Sequence, residues 1–249
     1  MLTNASKPLD SLPGTPAGDH ALHYHLHNDP QSSHQQIYQL VQRIGQGPIL
    51  DVGAAQGFLG QMLLESQLPI DAIEPHAAWA THAALYYRTM YHSDIDSVEL
   101  PEELYRVVVC ADVLEHTVDP VKALCKLQKA AHPDALYIIS LPNVAHIAAR
   151  LLLLSGRFPK MERGIFDRTH LHFYTQQTAL DMLQNAGLEA IRIRPTPVPL
   201  EQIWNPKYGK LGLRALMFFQ RMCLLLAPTL FAFQWIIVAR TAHSETPLL

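Results

Sequence analysis

Short apolar runs alternate with segments of helical periodicity over most of the chain. The runs at 48–52, 70–74, 106–110 and 135–140 have the length of β-strands, and RVVVC at 106–110 is almost continuously apolar, as in a strand buried on both faces. Between them, apolar residues recur every three or four positions, as on the buried stripe of a helix. This alternation predicts βαβ units, an α/β fold and a mostly parallel sheet.

Capping residues mark the ends of two predicted helices. Asp119 before Pro120 combines an N-cap acid with a proline at the first helical position. Thr175 is a second predicted N-cap, and Gly187 stands where a left-handed C-terminal cap is expected. Two later runs are predicted to be the last strands: 191–194 and 231–239.

The pattern predicts one domain with two insertions. The domain spans 35–240, after a flexible N-terminal segment at 1–34 and before a tail at 241–249. The alternation breaks at about 141–174 and 195–230. Long insertions are commonly lids or binding loops, and both of these follow strand ends, where open α/β sheets bind ligands.

Composition narrows the class of partner and compartment. The 249 residues carry a formal net charge of −3 and no long run of Lys or Arg, so no nucleic-acid partner is expected and a small molecule is favoured. The three cysteines have neither an even count nor metal-ligand spacing, which favours a reducing compartment. The N-terminus lacks the pattern of a secretory signal, so a cytoplasmic location is expected.

The first strand runs directly into DVGAAQG at 51–57, the most informative motif. Its small residues let the backbone turn tightly and approach a ligand, although Ala55 stands where a dinucleotide-binding pattern has its second glycine. The Asp51 carboxylate would repel a pyrophosphate and attract an ammonium group. Glu74 ends the second strand, 23 residues later, where a carboxylate can accept hydrogen bonds from both ribose hydroxyls.

These motifs resemble those of class I S-adenosylmethionine-dependent methyltransferases. ILDVGAAQG looks like the first motif, AIEP the second, SDI the acidic loop beside adenine, and VCADVLEH the fourth, all in order within about 35–240. The resemblance implies a Rossmann-like, seven-stranded mixed sheet with helices on both faces, an antiparallel last strand, and S-adenosylmethionine as cofactor. It implies these cofactor-binding residues: Asp51, Gly53, Ala54, Ala55, Gly57, Glu74, Pro75, Asp94, Ile95, Ala111 and Asp112.

Within the family, ADVLEH, SLPN and FDRTHLHFYT are closest to a bacterial subgroup similar to quinone-biosynthesis O-methyltransferases and methionine-biosynthesis-associated methyltransferases. The resemblance implies methyl transfer to a small-molecule acceptor, with an oxygen nucleophile expected (quinone-like, saccharide or lipid-linked). The candidate catalytic bases are His146, His116 and His170. Two alternatives stay open: a non-enzymatic nucleoside- or partner-binding protein on this fold, and a methyltransferase acting on a protein or nucleic acid.

Two histidine-containing clusters raise the question of a metal. In quinone-type methyltransferases the trio matching Asp112, Glu115 and His116 can bind a divalent ion, and the alternative is a hydrogen-bond network. His23–His27 places three histidines on one face of an extended strand. Zinc can bind such a group, but a flexible or substrate-capping segment is favoured because no fourth ligand is evident.

The stretch FDRTHLHFYT joins the first insertion to the helix that Thr175 begins. Asp167 with Arg168 is expected to be a local ion pair or a loop anchor. His170 and His172 alternate with Leu171 and are expected to form a substrate-side wall. Three apolar residues are expected in the core: Phe166, Leu171 and Phe173.

The run Met222–Ala239 is nearly long enough to span a bilayer. Pro228 divides it, and its second half is needed as the last strand, so a membrane span is the less favoured interpretation. The helix expected at 211–226 would then lie on a membrane surface or cover the active site. A peripheral membrane contact through 211–226 is therefore a further expectation.

Overall fold

A computed structural model describes residues 30–204, 207 and 209–242. The His23–His27 cluster lies outside the described residues, as do most of the predicted flexible segment 1–34 and positions 243–249 of the predicted tail.

The described residues form one sheet in the order β3-β2-β1-β4-β5-β7-β6. The neighbours from β3 to β5 are parallel, whereas β7 runs antiparallel to both β5 and β6. The predicted mixed sheet of seven strands with an antiparallel last strand is confirmed. The strands are β1 Ile49–Val52, β2 Ile70–Ile73, β3 Thr89–Tyr91, β4 Tyr105–Ala111, β5 Ala131–Pro142, β6 Leu188–Thr196 and β7 Gln234–Thr241.

Helices cover both faces of the sheet because alternate strand residues point to opposite sides. Val107 and Val109 of β4 join the core under α1, α2 and α3, whereas Val108 and Cys110 join the core under α4 and α6. The helices are α1 Ser33–Ile44, α2 Phe58–Leu63, α3 Ala77–Ala83, α4 Pro120–Ala130, α5 Ile147–Leu154, α6 Gln176–Asn185, α7 Leu200–Ile203, α8 Gly209–Leu226 and α9 Pro228–Phe231.

The predicted helix boundaries at Asp119, Thr175 and Gly187 agree with the structure. Asp119 accepts a hydrogen bond from the Lys122 amide and Thr175 accepts one from the Thr178 amide, as N-caps do. Gly187 follows α6 with a φ of 76°, in the left-handed region.

Helix α1 was not predicted from the sequence. Its first residues are polar, but Ser32 caps it and Gly45 ends it in a left-handed conformation. Ile37, Leu40 and Val41 are buried against the sheet. Residues 33 and 34, expected in the flexible segment, therefore begin a helix that packs on the domain.

The insertions meet at the edge where β5 ends and β7 begins. The side-chain amide of Asn143, directly after β5, donates to the carbonyls of Thr229 (3.2 Å) and Ala232 (2.8 Å). Its oxygen accepts a hydrogen bond from the Ala145 amide at 3.1 Å. Since Asn143 is fully buried, these bonds fix α5 and α9 against each other.

No helix among residues 30–204, 207 and 209–242 combines the length and the apolar character needed to cross a membrane.

Replacing Asn143 by alanine is expected to lower the free energy of unfolding by about 1–3 kcal/mol, because the carbonyls of Thr229 and Ala232 lose their donor and the bond to Ala232 is buried. Urea unfolding measures the change. Asn185→Ala, at the exposed end of α6, is the control and should leave the free energy nearly unchanged. Equal losses in both variants would contradict a connecting role for Asn143.

Candidate active site

The turn between β1 and α2 is built for a close approach of the backbone. Gly53 has a φ of 71°, and a Cβ there would lie 2.6 Å from Cγ2 of Val113. Gly57 has a φ of 84°, and a Cβ would lie 2.9 Å from Cδ2 of Tyr86. Ala55 also has a positive φ, 48°, a conformation that an L-residue adopts at a cost. The turn is thus held in a shape that favours glycine.

Glu74 fixes this turn from the neighbouring strand. Its Oε2 accepts a hydrogen bond from the Ala55 amide at 2.7 Å, and its Oε1 accepts one from the His76 amide at 2.8 Å. The side chain is only 3% exposed. A carboxylate has about four lone-pair positions, so each oxygen retains the capacity to accept a hydroxyl hydrogen bond.

Asp51 is a buried carboxyl group at the end of β1. Its Oδ2 accepts a hydrogen bond from the Tyr87 hydroxyl at 2.6 Å, and that hydroxyl accepts one from the Gly60 amide at 3.2 Å. Burial raises the pKa of Asp51 from its ordinary value of 3.8 to about 7; the Tyr87 hydrogen bond opposes this rise and the nearby charge of Glu74 adds to it. A cationic ligand beside Asp51 would favour the ionised form.

Asp112 joins the ends of three strands. Its Oδ1 accepts a hydrogen bond from the Ser140 hydroxyl at 2.7 Å, and its Oδ2 accepts one from the Gln234 amide at 2.8 Å. The pKa of His34 on α1 is lowered by burial, and the Asp112 charge opposes that shift. The His34 ring also meets the Phe58 ring edge-on, with centroids 6.2 Å apart. Helix α1 therefore closes this side of the site.

The predicted adenine-binding pair is partly engaged within the protein. The carboxylate of Asp94 accepts hydrogen bonds from the Ser97 amide (2.8 Å) and hydroxyl (3.1 Å), which lower the pKa of Asp94. Ile95 is buried and packs in the core. Of the remaining predicted cofactor residues, Ala54 is buried and Pro75 is exposed. Ala111, the last residue of β4, is half-buried.

A second group of side chains lies just after β4. Ligand atoms of Glu115, His116 and His170 all lie within 4.8 Å of one another. Glu115 is 1% exposed, and neither of its carboxylate oxygens accepts a hydrogen bond from any described residue. Burial raises the pKa of Glu115 well above its ordinary range, and the charge of Asp112 adds to the rise.

Both histidines of this group are oriented by backbone carbonyls. Nδ1 of His116 lies 3.2 Å from the Thr169 carbonyl, and Nδ1 of His170 lies 3.2 Å from the Ile165 carbonyl. An Nδ1–H that donates to a carbonyl leaves the Nε2 lone pair available in the neutral ring. Burial lowers the pKa of His170, and the neighbouring His116 lowers it further. The rings meet edge-on, with centroids 4.8 Å apart.

His146 differs from these two histidines. Its Nδ1 accepts a hydrogen bond from the Ala148 amide at 3.2 Å and caps α5. Burial lowers the pKa of His146, so the ring is neutral near pH 7 with its proton on Nε2. In that state Nε2 can donate a hydrogen bond to the methyl acceptor but has no lone pair with which to take its proton. The geometry therefore does not favour His146 as a general base.

FDRTHLHFYT packs directly on the turn after β4. The amides of Leu171 and His172 donate to the Glu115 carbonyl at 2.8 and 3.1 Å. Nε2 of His172 lies 3.2 Å from the Val118 carbonyl. The stretch therefore holds His170 beside Glu115, and the sequence alone gave no sign of this pairing because the two residues are far apart along the chain.

Two expectations for this stretch are wrong. Leu171 is 56% exposed and Phe173 37% exposed, whereas Phe166 is in the core as expected. Arg168 forms an exposed ion pair with Glu162 at 3.1 Å instead of pairing with Asp167.

Asp167 instead anchors the loop. Its Oδ1 accepts hydrogen bonds from the Thr169 amide (2.8 Å) and hydroxyl (2.6 Å). The loop-anchor interpretation therefore suits Asp167, and the ion-pair interpretation does not.

The structure thus gathers most predicted residues at one edge of the sheet. Asp51 lies near the end of β1, and Glu74 and Asp112 directly follow β2 and β4; the carboxyl ends of these parallel strands lie together. Prediction from the sequence missed the side chains that donate hydrogen bonds to Asp51 and Asp112, since each comes from a distant segment of the chain: Tyr87, Ser140 and Gln234.

Comparison with known families identifies a match over most of the chain. Residues 25–193 match the model of the methyltransferase domain family. Over 156 residues the chain is 28% identical to a ubiquinone biosynthesis O-methyltransferase of Hydrogenovibrio crunogenus, an alignment that covers 59% of this chain. The aligned part spans 64% of that relative's length.

Solved structures share the fold at low identity. A SAM-dependent methyltransferase from Archaeoglobus fulgidus superposes with a TM-score of 0.56 at 15% identity, covering 84% of this chain and 95% of that one. Magnesium protoporphyrin IX methyltransferase from Synechocystis, solved with bound SAH, gives 0.57 at 15% identity, covering 84% and 82%. At this identity the likeness shows the fold alone.

The raised pKa of Asp51 predicts a specific pH dependence of stability. The folded protein binds more protons than the unfolded chain between about pH 4 and pH 7, so the contribution of Asp51 is complete below about pH 4 and is lost as the pH rises through about 7. In Asp51→Asn, this loss is absent. Relative to the wild type, the variant should gain free energy of unfolding from pH 4 to pH 8, by at most about 4 kcal/mol.

Urea unfolding of the cofactor-free protein across this pH range measures the effect. Glu65→Gln, which changes an exposed carboxylate, is the control and should follow the wild type. Identical pH profiles for the wild type and Asp51→Asn would contradict the assignment.

Proposed function

Because this chain belongs to the methyltransferase domain family, we propose that it transfers the methyl group of S-adenosylmethionine to a small-molecule acceptor. The family and the fold confirm the predicted methyltransferase class and its cofactor. The observation that carries the reaction is the pair of buried carboxyl groups, Asp51 and Glu74, beside the turn at 51–57.

The described residues suit this cofactor. S-adenosylmethionine carries a cationic ammonium and a sulfonium, and the site offers Asp51 and Asp112 with no lysine or arginine paired to either among the described residues. Glu74 retains acceptor capacity for two ribose hydroxyls. Gly53 and Gly57 allow the left-handed turn at 53–57, which packs against Val113 and Tyr86. We propose Asp51 as the group that binds the ammonium and Glu74 as the group that binds the ribose.

The bound cofactor supplies an electrophilic methyl group. A lone pair of the acceptor oxygen forms the new bond to carbon, the carbon–sulfur bond breaks with its electron pair on sulfur, and the acceptor loses its proton. The protein contributes alignment and the exclusion of water, which account for most of the catalysis in such a displacement. The side chains after β4 are placed to act on the acceptor proton.

We propose an oxygen nucleophile on a quinone-like or lipid-linked molecule as the acceptor. The relative from Hydrogenovibrio crunogenus is described as an O-methyltransferase of ubiquinone biosynthesis. An aromatic wall in this chain suits a flat or apolar acceptor. The Phe173 ring lies 6.0 Å from His170 and 5.3 Å from the ring of Phe158, which is 53% exposed.

For the acceptor side, we propose that Glu115, His116 and His170 bind a divalent transition-metal ion. Glu115 is a buried carboxylate without a hydrogen-bond donor, and both histidines present Nε2 while Nδ1 faces a carbonyl. Imidazoles that bind metals commonly donate their other N–H in this way. Two nitrogens and one carboxylate suit Zn²⁺ or Fe²⁺ better than Mg²⁺. Asp112 is the less suitable ligand, because Ser140 and Gln234 already engage its oxygens.

A bound ion at this position would lower the pKa of an acceptor hydroxyl. Without a bound ion, Nε2 of His116 or His170 would accept the hydroxyl proton directly.

The non-enzymatic alternative predicts cofactor binding with no methyl transfer to quinol, saccharide or lipid-linked acceptors. It lacks an observation in its favour, since Asp51 and Glu74 are both present.

Calorimetric titration with S-adenosylmethionine tests the cofactor site. The wild type should bind saturably, and Asp51→Asn and Glu74→Gln should each bind roughly ten- to a hundredfold more weakly, the loss expected for a hydrogen bond to a charged group. Glu65→Gln should bind like the wild type. Wild-type binding in both site variants would refute the assigned roles.

Titration of the chelator-treated protein with Zn²⁺ tests the metal site. One equivalent should bind, and Glu115→Gln and His170→Ala should each lose at least about tenfold in affinity, because a three-ligand site becomes a two-ligand site. His172→Ala is the matched control, since the His172 ring contacts the Val118 carbonyl and only its backbone amide, which alanine keeps, bonds to the Glu115 carbonyl. Binding that is unchanged in Glu115→Gln would place the ion elsewhere, and no binding by the wild type would leave proton transfer to the histidines.

A further inference from the structure

Helix α8 exposes an apolar face that a water-soluble helix would normally bury. Residues spaced four and three apart along it point outward, and several are largely exposed: Leu211 at 82%, Phe218 at 68% and Leu225 at 77%. Phe219 is 64% exposed beside them. The opposite side carries Leu213, Met217 and Leu224, so this helix is apolar on nearly all sides. A helix that is apolar all round is normally covered on all sides.

The first insertion has a matching exposed surface. Apolar side chains of α5 and the residues after it are open to solvent, with Leu154 at 85% and Phe158 at 53%. Leu151, Leu153 and Met161 extend this surface. Together with the outward face of α8, these residues are named the apolar insertion surface. Clusters of exposed apolar side chains commonly mark an interaction site.

Both parts of the apolar insertion surface arise from the same edge of the sheet. Asn143 bonds to Thr229 and Ala232, between α5 on one side and α8 with α9 on the other. The Phe233 ring lies 6.3 Å from the ring of His146, at the start of α5. This edge is also the one at which Asp51 and Asp112 lie, so the surface borders the active site.

The charge of the two insertions differs sharply from that of the rest of the chain. The insertions at 141–174 and 195–230 contain nine Lys or Arg and three Asp or Glu. The rest of the chain has the other 10 basic and 19 acidic side chains, a formal charge of −9. Arg214 and Arg221 are exposed and, being two turns apart on α8, border its apolar face on one side.

We propose that the apolar insertion surface docks on an anionic phospholipid bilayer. Apolar side chains beside basic ones are the features that bind such an interface, where the rings enter the headgroup boundary and the cations meet the lipid charge. The acidic remainder of the chain is repelled by the same membrane, which orients the protein with its insertions toward the lipid. A second copy fits this surface less well, since residues 202–231 offer no acidic group to pair with Arg214 or Arg221 of another chain.

Vesicle flotation with the full chain tests this inference without any methyl transfer, so it fails or succeeds separately from the proposed function. The wild type should bind vesicles of phosphatidylcholine with phosphatidylglycerol, bind phosphatidylcholine alone far more weakly, and dissociate as salt is raised. The double variant Phe218→Ser, Phe219→Ser should lose at least about tenfold in binding, because two aromatic side chains no longer enter the lipid.

Matched variants distinguish binding through the apolar insertion surface from binding through exposed apolar or basic residues elsewhere on the protein. Leu85→Ser removes a side chain that is 80% exposed outside the insertions and should bind like the wild type. Arg214→Glu should bind the anionic vesicles at least about fivefold more weakly, because each basic residue near the membrane surface contributes ~1 kcal/mol to binding. Lys129→Glu on α4 should bind almost as tightly as the wild type.

Two results would overturn the inference. One is that folded wild-type protein fails to bind anionic vesicles, or that Leu85→Ser weakens binding as much as the Phe218, Phe219 variant does. The other is that light scattering shows the wild type as a dimer that does not bind vesicles, and the Phe218→Ser, Phe219→Ser variant as a monomer. That result would assign the surface to a second copy of the chain.

Discussion

Buried and half-buried carboxyl groups without a lysine or arginine partner are the constraint on which the rest of this site depends. Asp51, Glu74, Asp112 and Glu115 lie at or just after the carboxyl ends of three neighbouring parallel strands, and none of them pairs with a described lysine or arginine. Like charges at low dielectric repel strongly, so such an edge persists only where neutral donors stabilise it or where protons neutralise it.

Each carboxyl group meets this constraint differently. Glu74 takes two backbone amides, Asp112 takes a hydroxyl and a side-chain amide, and Asp51 takes the Tyr87 hydroxyl and has a pKa raised to about 7. Glu115 has no donor among the described residues. By contrast Asp71, buried in β2, the strand that Glu74 follows, but away from the site, pairs with Arg88 at 2.6 Å. The site edge is therefore prepared for a cation that the chain itself does not provide.

The sequence predicted the parts of this arrangement that are local. Asp51 with its small-residue turn, Glu74 at a strand end, and the caps at Asp119 and Thr175 depend on neighbouring residues. The strand pattern predicted a mostly parallel sheet, whereas its seven strands and antiparallel last strand were implied by the family resemblance. The long-range parts were not predictable. Tyr87 reaches Asp51, Gln234 reaches Asp112, and His170 reaches Glu115 only because the strands and the first insertion bring them there. Helix α1 escaped prediction because its first turn is polar.

The insertions add a second level of organisation to a common fold. The Asn143 side chain connects the two insertions at this edge. Backbone amides of FDRTHLHFYT donate to the Glu115 carbonyl, which places His170 beside Glu115. The rings of Phe158, Phe173 and His170 then run from the exposed apolar surface to the acceptor side of the site.

Proton release on cofactor binding tests the central claim, that a buried and partly protonated Asp51 receives the ammonium of S-adenosylmethionine. The measurement is calorimetric titration near pH 7 in two buffers of different ionisation enthalpy. With a pKa of about 7 in the free protein, binding should release roughly half a proton, so the apparent heat should differ between the buffers, and the difference should vanish in Asp51→Asn. Saturable binding with the same heat in both buffers would contradict the account.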